Sequence, residues 1–257
     1  MMPAEAGTQN MNFEIKSFDT LESTNTEALN QARNGAGEGL CVTAHEQTAG
    51  RGRYGRSWVS GKDAGLFLSV VLRPKLEPVY VPLITLMTGV AVHDALAEMG
   101  VISDIKWVND IHVDGKKICG ILAETTETDA GLAIVVGIGL NMNSESFPPY
   151  LAASSTSLAE ELGRSVSREE LINALTRHMD KFYAILTGEN GPAAIVEHWR
   201  QRSSYFEGKS VRAVMERETI FGTTAGLEPN GALRVAKSDG TIAIIQAGDV
   251  EQLRAVI

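Results

Sequence analysis

The sequence predicts an α+β fold in which buried strands pack against helices, with a small all-β module at its end. Three observations carry this. Leu66 to Leu72 and Ala133 to Asn143 are apolar runs of the kind found in strands covered on both faces. Leu171, Ile172, Leu175, Met179, Phe182 and Leu186 recur at helical spacing, while Leu83, Leu86, Met87, Val90, Ala91 and Leu96 form a second, wider helical surface. From about Tyr205 the texture changes to short alternating segments joined by tight turns, as in a small β-barrel or sandwich.

Phe13 to Phe18 alternates apolar and polar residues and reads as the first strand. Thr24 followed by Glu27 fits a capping box, so a helix should run to about Arg33 and end at Gly35. Ser23 and Asn25 then leave spare donors and acceptors at a helix N-terminus. Gly39 to Glu46 is strand-like, and Gln47 opens a loop rich in arginine and glycine. Pro74 stops the strand that begins at Leu66, and Pro82 suits the first turn of a helix ending near Gly100, with His93 a packing or rim residue. Lys106 to Val113 and Lys116 to Glu124 flank Asp114-Gly115, a strong hairpin signal. After Pro148-Pro149 helices dominate: Ser167 with Glu170 makes a second capping box, and another helix spans roughly Ala193 to Gln201 with Trp199 packed beneath it. Asn230-Gly231 and Asp239-Gly240 signal two further hairpins.

The chain has 257 residues and a formal net charge of −9, which argues against a wholesale nucleic-acid surface, since such binding depends on many cationic contacts. Its two cysteines, Cys41 and Cys119, lack metal-site spacing and suit a reducing cytosol. No apolar run reads as long and uninterrupted enough to span a bilayer. The first dozen residues are small and polar, unlike a signal peptide, and read as a disordered extension.

Against this acidic background, Gly50-Arg51-Gly52-Arg53-Tyr54-Gly55-Arg56-Ser57-Trp58 concentrates positive charge on a bendable backbone. Arginine offers a planar fork suited to phosphates and carboxylates, so the loop reads as one that closes over an anion. Asn109 and Asp110 are depleted residue types for a strand. Either they form a bulge or turn, or their oxygens bind a nucleotide or a magnesium ion; nearby Lys106 and Lys117 favour the second reading. Two common nucleotide motifs fail. Met142 stands where a dinucleotide fingerprint beginning at Gly137 needs its third glycine, and Ser203 stands where a phosphate loop ending in Gly208-Lys209-Ser210 needs its first.

Five motifs in order, Ser23-Thr24-Asn25, Gly50 to Arg56, Lys106-Trp107-Val108-Asn109-Asp110, Lys117-x-x-Gly120-Ile121-Leu122 and Gly137 to Asn143, resemble those of the biotin protein ligases. The resemblance runs from Phe13 to the C-terminus. It implies a mixed sheet flanked by helices in a catalytic domain over 13–204, and an SH3-like barrel over 205–257, with 1–12 as the extension. It also implies a two-step reaction. Biotin and ATP give biotinyl-5′-adenylate, and a lysine of a biotin carboxyl carrier domain, from acetyl-CoA carboxylase or a related carboxylase, takes the biotinyl group. Ser23, Thr24, Asn25 and Gln47 would bind the ureido ring of biotin. Arg51, Gly52, Arg53 and Lys117 would meet its carboxylate and the adenylate phosphate, with Lys117, Arg51 and Arg53 as the catalytic cations. Arg56, Trp58, Lys106, Asn109, Asp110 and Asn141 would serve the nucleotide, with Asp110 a ligand for Mg²⁺.

Val108 stands where the family usually has proline, and Tyr54 replaces a frequent arginine; both departures are expected to tune affinity. With about a dozen residues before the first strand, no N-terminal DNA-binding domain is expected. The setting implied is cytoplasmic, without membrane or nucleic-acid partners, and exposed sheet edges in such folds leave a homodimer open. Lipoate or octanoate ligases share the adenylation logic but carry a different glycine-rich signature. A non-catalytic biotin sensor would be expected to lose Lys117 or the loop arginines, and all are present.

Overall fold

The apolar runs are strands of one seven-stranded sheet. In the computed structural model, which describes residues 11–59, 61–144, 147–215 and 218–252, β1 (Glu14–Leu21) and β2 (Leu40–Gln47) run parallel. Parallel neighbours need a crossover, here α1 (Thr24–Arg33). β3 (Gly65–Leu72), β4 (Asp104–Lys106), β5 (Asp110–Val113), β6 (Lys116–Thr128) and β7 (Gly131–Asn141) complete the sheet through antiparallel pairs, in the order β1-β2-β3-β7-β6-β5-β4.

The sheet is covered on both faces, which explains why β3 is buried along its whole length. Val71, Ala133 and Val135 meet Ala28, Leu29 and Ala32 of α1 on one side. Leu66, Leu68, Val70, Leu72, Ile134, Val136, Ile138 and Leu140 face the larger core under α2 (Leu83–Glu98), α5 (Arg168–Thr187) and α6 (Gly191–Arg200). Two short helices, α3 (Pro149–Ala152) and α4 (Leu158–Leu162), lead into α5. Contrary to the sequence reading, one segment, Pro78–Glu98, is long and apolar enough to cross a membrane by composition. Most of it is α2, which is apolar nearly all round because it lies between the sheet and α5 and α6.

Two caps test the boundary predictions. Ser167 accepts from the Glu170 amide at 3.1 Å, as expected. At α1 the cap is Ser23, one residue before the predicted Thr24; its hydroxyl faces the Thr26 amide at 3.5 Å, and the Thr24 hydroxyl is free to bond elsewhere. α6 begins at Gly191, slightly before the expected Ala193, and Trp199 is fully buried.

The C-terminal strands β8 (Glu207–Val214), β9 (Thr219–Leu227), β10 (Leu233–Ala236), β11 (Ile242–Ile245) and β12 (Asp249–Gln252) form an antiparallel sheet in the order β11-β10-β9-β8-β12. Val211, Leu233, Val235, Ile245 and Val250 join the larger core. The predicted Asn230-Gly231 turn docks on α2, where Gly231 lies so near Leu86 that a Cβ would come within 2.3 Å of Leu86 Cδ1. Trp107 Nε1 donates to Gly231 O at 3.0 Å, so this turn ties the module to the segment between β4 and β5. Of the expected N-terminal extension, residues 1–10 lie outside the described residues. Met11 is placed: its amide donates to Asp180 Oδ1 at 2.7 Å, and its side chain packs against the core.

Candidate active site

The first turn of α1 and the ends of β2, β3, β6 and β7 enclose one end of a cavity. Ser23, Thr24 and Asn25 are each only 4% exposed, so their polar atoms must find partners inside. Gln47 Oε1 accepts from the Thr24 amide at 2.8 Å and from its hydroxyl at 3.1 Å. Ser69, fully buried within the apolar run of β3, places its hydroxyl 2.8 Å from Thr24 Oγ1 and 2.6 Å from Asn25 Oδ1. The Asn25 amide nitrogen donates to Leu122 O at 3.1 Å and to Glu124 Oε2 at 2.8 Å. Both its protons are therefore used, and Oδ1 is fixed as an acceptor. The fit is close: a Cβ on Gly137 would come within 2.2 Å of that oxygen.

The arginine-glycine loop closes the cavity. Arg51 and Ser57 form an antiparallel bridge, Gly52 donates to Arg56 O at 2.7 Å, and Trp58 donates to Gly50 O at 2.9 Å. Tyr54 and Gly55 turn the chain at positive φ, 56° and 70°. Each arginine has an acceptor. Arg51 Nη2 meets Glu124 Oε2 at 2.8 Å, and Arg53 Nη1 meets Asn109 Oδ1 at 2.9 Å and Gly248 O at 3.4 Å. Arg56 is ion-paired with Asp249 at the start of β12. Arg53 also lies over the Tyr54 ring and donates to its hydroxyl at 2.9 Å.

Opposite the loop, the hairpin joining β5 to β6 sets Lys117 Nζ 2.7 Å from Asp110 Oδ1 and 5.3 Å from the Trp58 ring centre. Asn109 is held by β6: its amide nitrogen donates to Ile121 O at 2.9 Å, and its carbonyl accepts from the Ile121 amide at 2.9 Å. The Trp58 ring packs on glycines, since a Cβ at Gly120 or Gly139 would come within 2.7 or 2.6 Å of it. Trp58 borders two cavities. The first lies between the polar groups of α1 and the loop arginines; the second is lined by Ser57, Trp58, Phe67, Asn141, Phe147 and Tyr150, with Lys117 reaching both.

Ser23, Thr24, Asn25, Gln47, Arg51, Gly52, Arg53, Arg56, Trp58, Asn109, Asp110 and Lys117 thus line one cavity together. Asn141 lines the second and braces it, its amide nitrogen bonding Lys117 O at 3.3 Å and Thr156 O at 3.0 Å. Lys106 lines neither. It sits on β4, the outermost strand, where it pairs with Asp110 of β5. Ser69, Glu124, Phe67, Phe147, Tyr150 and Asp249 went unread in the sequence; only Ser69, a lone hydroxyl inside an apolar run, left a local signal. Next to Lys117 in the hairpin register stands His112. Burial, and then the charges of Lys106 and Lys117, push its pKa down to about 4 against the pull of Asp110 and the Gly115 backbone, so its imidazole is neutral near pH 7.

Comparison with known proteins shows the family. Residues 17–141 match the biotin/lipoate A/B protein ligase family, and residues 207–252 match the biotin protein ligase C terminal domain. The chain is 35% identical over 238 residues to the bifunctional ligase/repressor BirA of Bacillus subtilis, covering 91% of this chain and 72% of that one. It belongs to the biotin protein ligase family. A second relative, the biotin–[acetyl-CoA-carboxylase] ligase of Paracoccus denitrificans, is 32% identical over 225 residues, or 82% of this ligase and 90% of that one. The biotin protein ligase from Aquifex aeolicus, solved in complex with biotin and ATP, has a TM-score of 0.80 to this ligase at 26% identity, covering 94% and 99% of the two chains.

Proposed function

We propose that this ligase joins biotin to ATP in the first cavity and then passes the biotinyl group to a lysine of a biotin carboxyl carrier domain of acetyl-CoA carboxylase or a related carboxylase. One observation carries the reading: a fixed polar cage and a cluster of cations line the same cavity. The ureido ring offers two N–H donors and one carbonyl. Asn25 Oδ1 keeps a lone pair for an N–H, and the Ser23 and Thr24 hydroxyls serve as donors or acceptors. The carboxylate end then lies under Arg51, Gly52 and Arg53, beside Lys117.

In the first step a carboxylate oxygen attacks the α-phosphorus, and the bond to the bridging oxygen breaks to release pyrophosphate. Two anions must approach, so fixed cations in a shielded site lower the barrier. Lys117, Arg51 and Arg53 supply that charge. In the second step the neutral lysine amine attacks the acyl carbon, loses a proton and expels AMP. Arg56, Trp58, Asn109 and Asp110 face the nucleotide, and Asn141 shapes the second cavity, whose aromatic walls suit a base. Among the described residues no group of three or more His, Cys, Asp or Glu forms a metal cage. The Asp110 carboxylate, a hard oxygen donor on the cavity wall, would hold Mg²⁺, and the ion would supply charge neutralisation to the nucleotide phosphates.

This reading assigns catalysis to 13–204 and the loop's distal anchor to the module over 205–257. Two buried free cysteines suit a reducing compartment such as the cytoplasm. Exchange of labelled pyrophosphate into ATP tests the reading. It should require biotin; exchange supported by lipoate and not by biotin would overturn the substrate.

A further inference from the structure

One oxygen joins the two ends of the site. Glu124 Oε2 accepts from Asn25 Nδ2 and from Arg51 Nη2, both at 2.8 Å. Asn25 belongs to the polar cage and Arg51 to the loop. The other side-chain ties of the loop arginines lead elsewhere: Arg53 to Asn109, Gly248 and Tyr54, and Arg56 to Asp249. Glu124 also lines a groove along the loop together with Arg51, Arg53 and Arg56.

We propose that Glu124 is a positioning residue that couples closure of the loop to the state of the ureido cage, and this proposal rests on the biotin-activating reading above. The Glu124 carboxylate and Leu122 O take both amide protons of Asn25, which keeps Oδ1 turned toward Ser69 and Gly137. The same carboxylate holds one terminal nitrogen of Arg51. A guanidinium has five N–H donors in a fixed fork, so Arg51 keeps this partner while presenting other donors to the cavity. A correctly filled cage thereby steadies the arginine that covers the reactive end, and the mixed anhydride is retained.

The test uses the full chain and its Glu124→Gln, Glu124→Ala and Arg51→Ala variants, with the Arg51→Ala/Glu124→Gln double variant. Biotin-dependent pyrophosphate exchange gives the biotin KM, and separation of free from bound biotinyl-adenylate gives its release rate. Glu124→Gln keeps an oxygen for Asn25 but loses the charge that holds Arg51. Its KM should stay within about twofold while release becomes on the order of fivefold faster. Glu124→Ala should raise both. The double variant should release no faster than Arg51→Ala alone, because the pair is already broken. A wild type inert with biotin would remove the underlying reading and the proposal with it. An active wild type whose Glu124→Gln variant releases adenylate at the parental rate, or binds biotin more tightly because Glu124 had been competing for Arg51, would overturn the proposal alone.

Discussion

Lys117 Nζ stands 2.7 Å from Asp110 Oδ1, the two side chains coming from adjacent strands of one hairpin. The pair holds the cation at the wall shared by both cavities, where a carboxylate and a phosphate would meet. Lys117→Ala should therefore lower the adenylation rate on the order of a hundredfold or more, because it removes charge that acts on the transition state. Biotin affinity by calorimetry should change only a few-fold; a parallel loss of both would make Lys117 a simple binding residue.

Ser69→Ala removes one hydroxyl from a fully buried chain of contacts linking Thr24 to Asn25. An unmet buried partner costs about 1–3 kcal/mol, so the biotin dissociation constant should rise on the order of tenfold. The KM for ATP should hold, since the Ser69 hydroxyl bonds to Thr24 and Asn25 of the polar cage.

Gly139→Ala should damage the nucleotide side. Its methyl group would come within 2.6 Å of Trp58 Cε2, so the indole must shift. The expected result is a KM for ATP raised on the order of tenfold, against a smaller effect on biotin.

Much of this site could be read from sequence because its residues are conspicuous where they stand. Arginines set among glycines, an Asn-Asp pair beside a hairpin and a lysine just past its turn all break local patterns, and the fold brings them together. What stayed hidden depends on three-dimensional distance. Glu124 looks like an ordinary solvent-facing position of an alternating strand, and its meaning comes from Asn25 and Arg51, 99 and 73 residues away. Phe147 and Tyr150 flank the Pro148-Pro149 break with no pattern of their own. The Thr24 cap was displaced by one residue because Ser23 competes for the same role, and tertiary partners of Thr24 decided it.

Acid should weaken the fold through His112. Its folded pKa lies near 4, below the ordinary 6.5, chiefly from burial. The unfolded chain then binds the proton more readily, so this contribution to stability is full above about pH 6.5 and is lost as pH falls toward 4. The effect should reach about 2 kcal/mol in urea titrations, and His112→Gln should flatten that part of the profile.

If the arginine-glycine loop is a lid over an acyl-adenylate, the protein retains that intermediate. The ligase is incubated with biotin, ATP and magnesium without a carrier, passed through a desalting column, and the protein fraction is analysed by mass spectrometry. Biotinyl-5′-adenylate should stay bound to the wild-type chain at about one per molecule and escape from Arg53→Gly, with bystander lysines biotinylated. Adenylate that is formed but leaves the wild-type chain as readily as the variant would contradict it.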